Sequence, residues 1–115
     1  MLTTRQWADD HGIEPLATIG VAGQVAGPDT SLHSQPAAAI TAAVERAGWS
    51  LSELDYPLEQ TNLHGGAIAL GHPVGASGGR LVVHAAHELA RRGTGRAAVA
   101  LCGVGGQGDA LLLWR

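Results

Sequence analysis

Phenylalanine is absent from this chain, and its whole aromatic complement is Trp7, Trp49, Tyr56 and Trp114. Any core must therefore be aliphatic, and the abundance of Ala, Gly, Leu and Val favours helices lying close on a sheet over a β-sandwich. The single cysteine, Cys102, excludes an intramolecular disulfide and any zinc site built on a cysteine cluster. No apolar run approaches the ~20 residues that a membrane helix needs. The first residues, MLTTRQWADDHG, are charged early and lack the apolar stretch of a signal peptide. Charges are few and scattered, and a net charge of −3 gives no basic footprint for nucleic acid. The expectation from these absences is a soluble, cytoplasmic chain with no membrane and no nucleic-acid partner.

With 115 residues, 45% of them apolar, the chain has the length of one domain and enough apolar matter for one core. Residues 3–12 predict the end of a helix stopped by Gly12. Leu16–Ala22 is a short apolar run between Pro15 and Gly23 and reads as a buried strand. Residues 23–35, rich in Gly, Pro, Asp and Ser, read as a loop. Residues 36–47, PAAAITAAVERA, open on Pro, stop at Gly48 and place Ile40, Ala43, Val44 and Ala47 on one face, which predicts a helix.

Residues 51–61 show no clear period, and Ala67–Leu70 reads as a very short strand. Ser77 is placed to cap a helix over 78–92 that turns Leu81, Val82, Ala85 and Leu89 inward. Arg80, His84, His87, Glu88 and Arg91 fall on its other, solvated face. Residues 97–101 and 110–114 are apolar runs flanking a short glycine turn, so antiparallel neighbouring strands are expected. The predicted fold class is α/β, with helices 36–47 and 78–92 packed on a mixed sheet that includes 16–22, 97–101 and 110–114.

The chemistry concentrates in two glycine-rich turns. Asn62–Gly78 reads NLHGGAIALGHPVGASG and holds His72; Cys102–Gly108 reads CGVGGQG and holds the cysteine. Glycine permits close approach of backbone to a ligand and positive φ. Pro73 disfavours the helical region for His72 and keeps it extended. A histidine there can take a proton from a thiol or hydrogen-bond a developing oxyanion. Cys102 lies where an apolar strand runs out among backbone N–H groups, which favour a thiolate.

Taken singly, such residues are more often an inert thiol and a solvated loop histidine; the two contexts together point to a site. Gly103–Gly108 also matches G-x-G-x-x-G, but it leads into the strand-like DALLLWR rather than a helix, which excludes a dinucleotide fingerprint. His84 and His87 have i, i+3 metal spacing, yet they read as part of a solvated helix face.

These motifs resemble the C-terminal domain of the thiolases, acyl-CoA C-acyltransferases that make or cleave 3-ketoacyl-CoA. N-x-x-G-G-A-I-A-x-G-H-P-x-G-A-S-G fits Asn62–Gly78 at every specified position, and C-x-G-G-G-x-G fits Cys102–Gly108 except at Val104. HELARRG, GIEPLATIGVAG and PAAAITAAVERAGWSLSELD extend the likeness over nearly the whole chain, residues 1–115. The resemblance implies that His72 activates a nucleophilic cysteine carried by a separate N-terminal domain. It implies that Cys102 is the second base and that the backbone N–H of Val104 serves an oxyanion hole. No metal or redox cofactor is implied; coenzyme A thioesters are substrates.

Three departures accompany the likeness. The nucleophile-bearing domain is not in this sequence. An N-E-A-F-A segment with its strand and helix, expected between Asp55 and Asn62, is replaced by Tyr56–Thr61. The loop that the family writes M-G-x-G-P reads Leu32–Pro36 here. The expectation is a thiolase C-terminal domain with an internal deletion, inactive alone. The competing readings are a non-catalytic module docking to a thiolase partner or a second copy, and a module that binds CoA or phosphate without chemistry.

Overall fold

The computed structural model describes residues 1–54 and 61–115. Three strands, β1 (Thr18–Ala26), β2 (Arg96–Gly103) and β3 (Gln107–Trp114), form one sheet in the order β1–β3–β2. The helices are α1 (Arg5–Asp10), α2 (Gln35–Arg46), a single turn α3 (Ala67–Leu70) and α4 (Ser77–Arg92), with a 3₁₀ turn at Leu51–Glu53. No helix among the described residues is long and apolar enough to cross a membrane.

The hairpin expected from the two apolar runs is present. β2 and β3 pair antiparallel from Arg96↔Trp114 to Gly103↔Gln107. β1 also pairs antiparallel with β3, from Thr18↔Trp114 to Ala26↔Gln107, with a bulge between Ile19 and Ala22. The sheet was expected to be mixed, and among the described residues it is antiparallel at both ladders. The reason is topological: β1 and β2 run the same way, but β3 lies between them. β1 also runs past its predicted end at Ala22, through Gly23 and Gln24, because β3 offers it pairing partners as far as Gln107.

Alternation along β3 divides the core between two helices. Ala110 and Leu112 face α2 and pack with Ala39, Ala43 and Val44, while Leu113 faces the other way with Ala97, against Ala85 and Leu89 of α4. A helix thus covers each face, giving three layers. Leu89, Leu112 and Leu113 are fully buried, and burying a leucine contributes about 1.5–3 kcal/mol. α2 lies so close to the sheet that a Cβ on Gly23 would stand 2.1 Å from the Ala39 carbonyl oxygen, and one on Gly108 2.5 Å from that of Gln35. Only glycine fits at either position.

The helix bounds follow their local signals. Thr4 caps α1, its Oγ1 accepting from the Trp7 N–H at 3.2 Å. α2 has Pro36 in its first turn, and α4 ends at Gly93 in the left-handed conformation. Ser50 and Glu53 form a reciprocal capping box at the 3₁₀ turn. Residues 67–70, expected as a short strand, instead form the turn α3, closed by Leu70 N–H to Gly66 O at 3.0 Å and Gly71 N–H to Ala67 O at 2.8 Å. Among the described residues no ladder reaches this segment, and its backbone is satisfied locally.

The close approach at Gly23 makes a measurable contrast with Gly79, which is helical and would present an added Cβ to open space. Gly23→Ala should destabilise the chain by about 1–3 kcal/mol through overpacking. Gly79→Ala should stabilise it by up to about 1 kcal/mol through helix propensity. Urea unfolding midpoints of the two variants should therefore move in opposite directions.

Candidate active site

The turn bearing His72 is built around one carbonyl. Pro73 O accepts from the N–H of Ala76 at 2.9 Å, from the N–H of Ser77 at 3.0 Å and from the Ser77 hydroxyl at 3.1 Å. Pro73 lacks an N–H of its own, so the segment folds back through its acceptor and hands the chain to α4. Arg80, one turn into that helix, donates from Nη1 to Gly71 O at 2.8 Å and clamps the other side of the histidine. The His72 residue is exposed, whereas Ser77 is buried beneath it.

His72 Nδ1 lies 2.7 Å from Ser77 Oγ. The hydroxyl has one proton and two acceptors within reach, Pro73 O and His72 Nδ1. Given to Pro73 O, it leaves Nδ1 as the protonated nitrogen and Nε2 as a bare lone pair able to act as a base. Given to Nδ1, it leaves Nε2–H as a donor. Ser77 thus supports both roles that a base and oxyanion donor must alternate between. Sequence reasoning takes Ser77 for a helix cap, but the N-cap residue is Ala76 and no side chain caps the helix. The signal for its true contact is the five-residue spacing from His72.

Cys102 lies one residue before the end of β2 and is exposed. It pairs with Gly108, the residue whose missing side chain lets α2 approach. Alternation places Cys102 with Ala98 and Ala100, on the α2 side of the strand. Residues 104–106 turn the chain into β3, with Gly105 at φ +89° and Gly106 at φ +75°. Gly106 O accepts from the Gly27 N–H at 2.7 Å, so the turn is tied to the loop after β1. Val104 stands where the motif specifies glycine. Among the described residues only Asn62 is a non-glycine with positive φ, so Val104 fits without backbone strain, its side chain 94% exposed.

The first turn of α4 approaches the end of β2 on the face opposite the one to which alternation assigns Cys102. A Cβ on Gly78, in the first turn of α4, would meet Leu101 Cδ1 at 3.3 Å, one residue before Cys102. Among the described residues no hydrogen bond joins the imidazole to the thiol. A cavity of about 560 Å³ opens elsewhere, along β2 and between α2 and α4, with Ile40, Leu54, Leu81 and His84 in its walls. Neither His72 nor Cys102 lines it.

Glu88 departs from the sequence expectation. Read as part of the solvated face of α4, it is only 6% exposed. Arg91 and Arg92, one turn on, fold back over it: Oε1 accepts from Arg91 Nη2 at 2.6 Å and Arg92 Nε at 2.7 Å, and Oε2 from Arg91 Nε at 2.9 Å. The Arg91 hydrogen bonds, followed by those of Arg92, hold its carboxyl down to about 2. Of Tyr56–Thr61, which stands where N-E-A-F-A is expected, residues 56–60 lie outside the described residues.

Comparison with known proteins matches residues 51–115 to the family described as "Thiolase, C-terminal domain". The chain is 49% identical to a probable acetyl-CoA acetyltransferase of Mycolicibacterium smegmatis, over 94% of its own length and 33% of that protein. It is 40% identical to the human mitochondrial 3-ketoacyl-CoA thiolase, over 90% of its length and 31% of the relative. A crystal structure of the human mitochondrial 3-ketoacyl-CoA thiolase in complex with CoA superposes with a TM-score of 0.87 at 33% identity, over 96% of this chain and 33% of that one. The Bacillus anthracis acetyl-CoA acetyltransferase gives 0.89 at 30% identity, over 97% and 34%.

The chain thus spans about a third of the length of these relatives. The match to the Mycolicibacterium protein runs over 128 residues, more than the 115 of the whole chain, so that relative carries residues here that have no counterpart.

Glu88 gives α4 a pH signature. Its carboxyl is depressed from an ordinary 4.5 to about 2 in the folded chain. Its contribution is present above pH 4.5 and lost as the pH falls from there through about 2. Glu88→Gln should lower stability at neutral pH and flatten the acid limb of the stability profile, read from thermal midpoints between pH 2 and 7.

Proposed function

The chain belongs to the thiolase family, and on that premise we propose that it is the portion of an acyl-CoA C-acyltransferase that carries the base histidine and the second cysteine. The observation that carries this reading is the His72 turn. Its ring is exposed, its Nδ1 is held by buried Ser77, and its flanks are fixed by Pro73 O and Arg80. That is how a general base is presented without being free to wander.

In the proposed reaction, His72 Nε2 takes the proton of a cysteine thiol supplied by an N-terminal thiolase half. The thiolate attacks the acyl-CoA carbonyl, and collapse of the adduct expels CoA, which leaves with the proton from His72. The acyl group is then a thioester on that cysteine. Cys102, as thiolate, removes the α-proton of acetyl-CoA. The resulting carbanion attacks the acyl thioester, forms the new carbon–carbon bond and releases the nucleophilic cysteine, so that 3-ketoacyl-CoA departs. Thiolysis is the reverse. The Val104 N–H donates to one oxyanion, and His72 Nε2–H to the other. A cytoplasmic setting in acyl-chain metabolism belongs to this reading, with CoA thioesters as substrates rather than cofactors.

Binding to a thiolase partner is a second reading, favoured by one specific observation. Ile68, Leu70, Val74 and Val104, all on or beside the two reactive turns, are 105%, 58%, 84% and 94% exposed. Apolar side chains concentrated there suit a surface that another thiolase half covers.

The chain by itself has no cysteine to serve as nucleophile besides Cys102, whose context is that of the second base. No thiolysis of acetoacetyl-CoA above background is expected from it alone, and no acyl adduct on Cys102 by intact mass. Mixed with an N-terminal thiolase half bearing the nucleophile, it should gain activity that His72→Ala lowers by about 10²–10⁴-fold. Turnover by the chain alone, abolished in both His72→Ala and Cys102→Ser, would overturn the need for a partner.

A further inference from the structure

His84 was read from spacing as half of an i, i+3 pair with His87, but the fold gives it a different neighbour. His64, twenty residues earlier in the loop before α3, places its Nδ1 3.3 Å from His84 Nε2. The rings stand 5.1 Å apart between centroids, inclined at 70°. His64 stands eight residues before His72 in the same glycine-rich segment and His84 lies on α4; both rings are exposed. The two nitrogens approach each other from two separate segments of chain.

We propose that His64 and His84 form a two-histidine chelate for a divalent transition-metal ion of the zinc type. Zinc–imidazole bonds of about 2.0–2.1 Å at the tetrahedral angle separate two ligand nitrogens by about 3.3–3.4 Å, which is the spacing the pair already has. Imidazole nitrogens are ligands that zinc accepts readily. Among the described residues, the charges one turn to either side of His84 are engaged elsewhere. Arg80, one turn before His84, directs its guanidinium to Gly71 O, and Glu88, one turn after, has both carboxylate oxygens engaged by arginines.

Among the described residues no set of three His, Cys, Asp or Glu side chains is placed to hold a metal, and the proposed site rests on the two imidazoles.

In the metal-free pair one nitrogen carries the proton and the other accepts it. Binding needs a lone pair from each, so that proton moves to the remote nitrogen of its own ring, and neutral imidazoles release no net proton. The ion ties the loop at His64 to the middle of α4, the helix whose first turn shapes the His72 turn. The inference is independent of the acyl-transfer reading, because its readout is metal binding and not turnover.

Titration of the full chain with Zn²⁺ alone, followed by calorimetry and by long-range ¹H–¹⁵N spectra of the imidazoles, tests the site. One ion per chain is expected, with metallation shifts at His64 Nδ1 and His84 Nε2. His64→Ala, His64→Asn and His84→Ala should each weaken binding about tenfold or more with unchanged far-UV circular dichroism. His87→Ala and His72→Ala should bind as the parent does. Absence of saturable binding, an equal loss in His87→Ala, or unshifted His64 Nδ1 in the zinc-loaded parent would each overturn the assignment. The last reading depends on no variant folding.

Discussion

β3 is hydrogen-bonded along both of its edges and buried on both of its faces, and β1, β2, α2 and α4 all pair with it or pack on it. Leu112 and Leu113 are neighbours in sequence, yet each is fully buried. That happens only where a strand is covered on both sides. One leucine receives α2 and the other α4. β1 and β2 take their registers from the same eight residues, so the position of the turn that follows Cys102 is fixed by where β3 begins. The turn with Cys102 and Val104 is simply the entrance to β3, and the loop after β1 is held to it through Gly106.

The histidine side of the site depends on α4 in a different way. There the anchoring is by hydrogen bonds at a helix start: one carbonyl accepting three donors, one hydroxyl shared, one arginine reaching back. The far end of the same helix carries the Glu88 cluster, in which two cations face one buried carboxylate. Such a cluster gives little net stability on exchange for apolar packing, but removing one partner leaves a buried charge uncompensated. The helix that presents His72 is thus held polar at its start and its finish, and apolar only along the stripe through Ala85 and Leu89.

Much of this was legible in the sequence because it depends on local pattern. The runs AAVAL and ALLLW, separated by glycines, announce a hairpin, and Pro36, Gly48 and Gly93 mark helix ends within a residue or so. The glycine contexts of His72 and Cys102 mark them in the sequence as candidates. What escaped depends on partners distant in sequence. Gly23 looks like the start of a loop, but it is a glycine because α2 presses on it inside a strand. Ala67–Leu70 is apolar enough for a strand but pairs with none among the described residues and closes a helical turn of its own. Glu88 looks solvated until Arg91 and Arg92 close over it. Ser77 has the chemistry of a cap and is used instead as the support of an imidazole. His64 carries no signal at all, since its neighbour lies a helix away.

The antiparallel ladder between β1 and β3 joins Thr18 to Trp114 and Ala26 to Gln107, nearly opposite ends of the chain. Its consequence lies in the order of assembly. Such contacts require closing a loop that holds almost everything else, a cost in chain entropy met before any ladder bond compensates for it. During synthesis α2 precedes β3, so the sheet it packs against is incomplete until β3 has emerged. Ala39, Ala43 and Val44 must therefore stay uncovered by β3 until then. A nascent chain of this kind is a natural client for chaperones that shield apolar helices until the closing strand arrives.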